Sequence, residues 1–250
     1  YIYLYIYIYI YIYIYIYSVA PHNSHFSWIY DGNSMTLPFI HTFTCIVAGP
    51  SRAGKTSFVI KLIKNAKSMI KPAPQNIIYC YSEWQPAFEN LQGIKFVNGL
   101  IHIEEIDPSQ TNLIIIDDQM HNINEQTEMM FTKYSHHRNC SIVFITQNIF
   151  HRSTSHMRTM SLNASYLVLF RNVRDAQQIS TLARQMYPKG QSRFLLEAFS
   201  DATAHSFGYL LIDLRQETDD LVRIRTGVFP DENTYIYTDK SKTPSLHFAS

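Results

Sequence analysis

Short, unbroken apolar runs recur along this chain, and between them apolar residues return every three or four positions. "FTCIVAG" (Phe43–Gly49), "NIIYCYS", "IKFVNG", "NLIIIDD", "CSIVFITQN" and "SYLVLF" are runs of the first kind. They predict strands, "FTCIVAG" a buried one, in a sheet covered on both faces. From Lys55 onward, Phe58, Val59, Leu62, Ile63, Ala66 and Ile70 fall at helical spacing. A more polar helical stretch covers Glu125–Tyr134, "RDAQQISTLARQMY" predicts a helix stopped by Pro188, and "RFLLEAFSDATA" predicts another. Pro72 and Pro74 mark a loop, and "NIFHRSTSHMRTMS" reads as a second, longer one. "GYLLIDL" and "VRIRTGVF" close the pattern as a hairpin. Strand and helix in alternation predict a three-layer α/β domain around a mainly parallel sheet.

The first seventeen residues follow a different rule. "YIYLYIYIYIYIYIYIY" alternates at period two, but both of its faces would be bulky and apolar, with no charge and no Pro. As protein it is an aggregation hazard. As DNA it is simple: TAT encodes Tyr and ATA encodes Ile, so alternating T and A reads as Tyr-Ile in every frame, and one base change gives Leu4. The tract reads as a translated repeat and is set outside the fold. The remaining chain divides into an extension over 18–40, a domain over 41–230 and a tail over 231–250.

Composition narrows the picture a little. The tract holds half of the 18 tyrosines, so the aromatic excess is mostly its own. A net charge of +1 excludes a generally basic nucleic-acid coat protein, though not a local basic patch. Cys45, Cys80 and Cys140 have no metal-like spacing and each lies in an apolar run, which predicts buried, reduced thiols. The tract lacks both the basic flank and the cleavage site of a signal peptide and is half phenol, so neither secretion nor a membrane span is expected. A nuclear, cytoplasmic or virion-associated protein is.

"GPSRAGKT", Gly49 to Thr56, carries the clearest chemistry. It fits the phosphate-loop pattern of Gly, four residues and Gly-Lys-Thr, lying after a predicted strand and opening a predicted helix. In such a loop the backbone of Gly49, Pro50, Ser51, Arg52, Ala53 and Gly54 wraps a triphosphate. The positive end of the helix faces it, Lys55 reaches the β- and γ-phosphates, and Thr56 ligates Mg²⁺. ATP and Mg²⁺ are the implied cofactors. "LIIIDDQM" ends a strand in two acids: Asp117 is the candidate to hold Mg²⁺ through water, and Asp118 the candidate general base for the attacking water. An acid pair there could equally cap the next helix; its partnership with the phosphate loop favours the chemical role. Gln147, ending "VFITQ", is the candidate to sit beside the γ-phosphate and the attacking water.

From Met129 through Arg174 the chain has no Asp or Glu, but it carries Lys133, Arg138, Arg152, Arg158, Arg171 and Arg174 with four histidines. A phosphate backbone is the natural partner of such a patch, and a solvated basic surface is the plain alternative. Arg152 and Arg158 are the DNA-contact candidates. Arg171 and Arg174 fit a helix start equally well. The adjacent His136 and His137 cannot converge on one zinc ion from a helix face.

Taken together, "CIVAGPSRAGKTSFV", "NIIYCYSEWQP", "NLIIIDDQM", "FTKYSHHRNCSIVFITQNIFH", "SLNASYLVLFRNVRDAQQISTLARQMYP" and "GYLLIDL" resemble the packaging ATPases of the FtsK–HerA superfamily. Within it the chain is most similar to the poxvirus-like DNA-packaging ATPases of large DNA viruses and Polinton (Maverick) transposons. The resemblance spans about Phe43 to Pro230. It implies an ASCE/RecA-like P-loop NTPase fold, ATP-driven movement of double-stranded DNA, a homo-oligomeric ring, and a capsid or portal partner. It also implies an arginine reaching the γ-phosphate of a neighbouring subunit from the segment just ahead of the Gln147 strand, which here contains Arg138; Arg158 is the second candidate. The family's second acid is typically Glu and here is Asp118, and the loop has one Gly fewer than many members. A small-substrate NTPase, or a nucleotide-binding relic of a mobile element without turnover, are the alternative readings.

Overall fold

The computed structural model describes residues 26–31, 37–117, 125–149, 155–187 and 192–239; the Tyr-Ile tract lies outside them. Strand β1 spans Phe26–Asp31, β2 Phe39–Ile40 and β3 Thr44–Ala48. Helices α1 (Lys55–Lys64) and α2 (Ala66–Met69) follow, then β4 (Ile70–Lys71), β5 (Asn76–Tyr81), β6 (Ile94–Asn98) and β7 (Asn112–Asp117). Helix α3 starts at Glu125–Met129, widens into a π-helical turn over Met130–Tyr134 and ends at Ser135–His137. The remainder is β8 (Cys140–Thr146), α4 (Ser155–Leu162), β9 (Tyr166–Phe170), α5 (Gln177–Met186), α6 (Ser192–Ala202), β10 (Tyr209–Asp213), β11 (Ile224–Thr226) and β12 (Thr234–Asp239).

Ten strands form one sheet in the order β1-β12-β11-β10-β9-β3-β8-β7-β5-β6. The six strands from β9 to β6 are parallel, and β10, β11, β12 and β1 add antiparallel pairs on one side. Every residue of β3, β7, β8 and β9 is buried, which is why their sequences read as unbroken apolar runs. Successive side chains still go to opposite faces. Cys45, Val47, Leu113, Ile115, Val143 and Ile145 pack on the α1 side with Phe58, Val59, Leu62 and Ile63. Ile46, Ile114, Ile116, Ile142 and Phe144 pack on the other side with Met130, Phe131, Met157, Leu182 and Leu195, from α3 to α6. The result is a three-layer α/β fold with a mainly parallel sheet.

Three local features depart from the sequence reading. The helical periodicity from Lys55 continues to Ile70, but Ile70 leaves the helix to pair with Phe39 in the small β2–β4 sheet. Part of the expected loop "NIFHRSTSHMRTMS" is helix α4. Its Ser and Thr residues are indifferent helix formers, but Met157 and Met160, three apart, are both buried, and tertiary burial overrides that preference. The sheet also reaches into both flanking segments: β1 lies within 18–40 and pairs with β12, which lies within 231–250, over six residue pairs.

All three cysteines are free and buried. Burial pushes the Cys80 thiol up to about 11 and that of Cys140 up to about 12, the latter against the pull of the Arg138 charge. Among the described residues, no helix is long and apolar enough to cross a membrane.

Candidate functional site

The phosphate loop begins where β3 ends. The Gly49 N–H donates to the Thr146 carbonyl at 3.2 Å, tying the loop to the end of β8. Gly49 is needed for a packing reason: a Cβ there would lie 2.6 Å from Cβ of Phe170 on β9. The Ala53 N–H then donates to the Pro50 carbonyl at 3.2 Å, Arg52 takes a left-handed conformation (φ 64°), and Gly54 follows at φ 106°. That last value suits glycine alone among residues without strain. Phe58 N–H donates to the Gly54 carbonyl at 2.9 Å, and α1 has begun.

No side chain caps α1, and no acid occupies its first turn. Its leading N–H groups and positive end therefore face the loop, an arrangement suited to an anion. The Lys55 ammonium donates to the Gly49 and Pro50 carbonyls at 2.8 and 2.9 Å, which holds the cation across the loop. Thr56 is the next residue of the same turn.

Strand register brings the other candidates to this edge. Ala48 lies opposite Thr146, and Ile145 lies opposite Asp117. Gly49, Gln147 and Asp117 thus sit at the carboxyl ends of three adjacent parallel strands, β3, β8 and β7. Gln147 is exposed there, while Asp117 is only 4% exposed. The Thr56 hydroxyl and the Asp117 carboxylate are hard oxygen donors, the chemistry Mg²⁺ takes when phosphates and water complete its shell. Among the described residues, no group of three or more His, Cys, Asp or Glu could hold a metal ion by itself.

One partner of Asp117 was not singled out from the sequence. The fully buried Tyr79, on β5, donates its hydroxyl to Asp117 Oδ2 at 2.7 Å. Burial raises the tyrosine's pKa, and the adjacent carboxylate raises it further, so the phenol stays protonated and keeps donating. Its ring packs on Phe88 and Phe96, with centroids 4.6 and 5.8 Å away. The only sequence signal was a phenol inside an apolar run. Tyr79→Phe keeps the ring and removes the donor, so we expect a fold that persists with a Mg²⁺ requirement raised roughly 10–100-fold. Mg²⁺ titrations of nucleotide binding, beside thermal melts, check this; an unchanged requirement removes Tyr79 from the site.

The remaining candidates are distributed differently. Asp118 and Arg152 lie outside the described residues. Arg158 is exposed on α4. Arg138 sits at the other end of β8: its N–H donates to the Tyr134 carbonyl at 2.9 Å, closing α3 just before the strand starts. The seven residues of β8, at about 3.3 Å each, separate it from its own phosphate loop by roughly 20 Å. No arginine side chain spans that distance. Within the acid-free stretch, His156 pairs with Glu128, the acid just before it.

Two openings flank the loop on the β9 side. A cavity of about 310 Å³ runs from Gly49 and Gln147 to Asp175 and Gln178. A more open cleft of about 480 Å³ lies between Arg52 and Ala53 of the loop, Arg171 and Val173 after β9, and Thr203–Gly208 before β10.

The chain is similar in structure to the genome packaging NTPase B204 from Sulfolobus turreted icosahedral virus 2. With that protein in complex with ATP-gammaS the identity is 14% and the TM-score 0.46, over 74% of this chain and 95% of the other. In complex with sulfate the values are 12% and 0.48 over 74% and 95%, and in complex with AMP 12% and 0.47 over 74% and 96%. No protein-family model matches the chain, and no curated protein matches it in sequence.

Proposed function

We propose that this chain is an ATP-hydrolysing motor that moves double-stranded DNA, acting as a homo-oligomeric ring to package a viral or transposon genome into a capsid. The observation that carries the nucleotide chemistry is the meeting of the loop from Gly49 to Thr56 with Asp117 and Gln147 at adjacent strand ends. The loop's N–H groups and Lys55 bind the triphosphate, Thr56 and Asp117 hold Mg²⁺, and Gln147 orients water at the γ-phosphate. Asp118, next along the chain, takes the water's proton. When bound there, Mg²⁺ would supply positive charge to the phosphate oxygens.

The DNA part of the reading rests on the sequence resemblance and on the acid-free stretch, from which Lys133, Arg158, Arg171 and Arg174 are all exposed. Phosphate contacts by such residues give binding that weakens with salt. Hydrolysis measured with and without duplex DNA at low salt tests it. We expect stimulation by DNA that fades as salt rises, and a shallower salt dependence in Arg158→Ala, by about one unit of slope. Hydrolysis indifferent to duplex DNA would leave an NTPase without the motor. It would favour the second reading, a small phosphoryl acceptor in the cavity beside Gln147.

A further inference from the structure

The cleft beside the phosphate loop has no role in the chemistry above, yet it adjoins the nucleotide site by sharing Arg52 and Ala53 with the loop. Its position follows from the strand order. β8 and β7, which carry Gln147 and Asp117, lie on one side of β3, while β9 and β10 lie on the other. If the γ end of a triphosphate faces Gln147 and Asp117, its other end points away from β8 and β7, and the cleft is the opening beside the loop on the β9 and β10 side. The segments rising there are Arg171–Val173, after β9, and His205–Phe207, before β10.

Phe207 is the unusual member of this group. It is 69% exposed and holds a left-handed backbone (φ 63°), a conformation that bulky residues rarely adopt. Its ring lies against the loop, with Cδ1 3.2 Å from where a Cβ on Gly54 would stand. Val173, which also lines the cleft, is 80% exposed. An apolar surface is thus presented to solvent beside the loop, in a cleft that Arg52 and Arg171 also line.

We propose that this cleft is the nucleoside subsite, with the base stacked on the ring of Phe207, against Val173, and the ribose toward Ala53. The proposal rests on the reading of the loop from Gly49 to Thr56 as a triphosphate site. Stacking on one aromatic ring needs only the π-face of the base and is worth about tenfold or more in affinity.

The test compares Mg²⁺-ATP with inorganic tripolyphosphate, which has the phosphates and no base, by calorimetric titration of the full chain. The unaltered protein should bind ATP more tightly than tripolyphosphate. Phe207→Asn, which suits the left-handed backbone, should weaken ATP by about tenfold or more and leave tripolyphosphate unchanged, while Phe207→Tyr should keep the ATP affinity. Equal binding of the two ligands by the unaltered protein, or ATP binding untouched in Phe207→Asn, overturns the subsite and spares the phosphate loop. Equal weakening of both ligands also overturns it, because the ring would then only be bracing Gly54. If the unaltered protein binds neither ligand, the triphosphate reading itself falls and takes the subsite with it.

Discussion

Lys55→Ala is expected to lower ATP binding and hydrolysis together by roughly 10²–10³ or more, the scale on which single donors at a developing oxyanion are felt. In the proposed chemistry Lys55 is the side-chain cation for the β- and γ-phosphates, and its ammonium lies across the loop, on the Gly49 and Pro50 carbonyls. Backbone N–H groups remain in the variant, but they supply dipoles where the γ-phosphoryl group needs a full charge. The fold should survive the change: Lys55 is half-buried in the first turn of α1, and the helix is anchored further on by Phe58, Val59 and Leu62. Calorimetric titration with ATP, a steady-state hydrolysis assay and a thermal melt separate these effects. A parental hydrolysis rate in a well-folded Lys55→Ala protein would remove the phosphate-loop assignment.

Arg138→Ala is expected to bind ATP normally and to hydrolyse it roughly 10³–10⁵ times more slowly, the range for an arginine finger acting on a transferring phosphoryl group. The distance along β8 rules out action on the chain's own nucleotide, so a finger at Arg138 would have to reach the site of a neighbouring subunit in the proposed ring. This gives a sharp experiment. Mixed with Lys55→Ala subunits, the Arg138→Ala protein should recover part of its activity. An intact phosphate loop would then face an intact Arg138 at some interfaces, although neither protein has both. A purely structural arginine gives no such recovery, and its loss would show in the thermal melt. If Arg138→Ala alone hydrolyses ATP at the parental rate, the finger lies elsewhere, with Arg158 the next to test.

The parts of this protein legible in its sequence are those whose physics is local. A strand buried on both faces is mostly apolar, so β3, β7, β8 and β9 announce themselves without knowledge of their neighbours. The loop from Gly49 to Thr56 is equally self-contained, because its glycines, its lysine and the helix it opens are contiguous. The acid ending β7 and the glutamine just after β8 could be named because each stands at the carboxyl end of its own strand.

What the sequence left open depends on partners distant along the chain. β1 and β12 are six residues each and pair across some two hundred positions, so neither segment carries its own evidence of belonging to the sheet. Helix α4 is held by two buried methionines against a Ser- and Thr-rich composition. The bond from Tyr79 to Asp117 exists because β5 and β7 are neighbours in the sheet, and the cleft at Phe207 exists because β9 and β10 rise on one side of β3. Composition and periodicity specify what each segment must bury or hold; only the order of the strands decides which side chains meet at their ends.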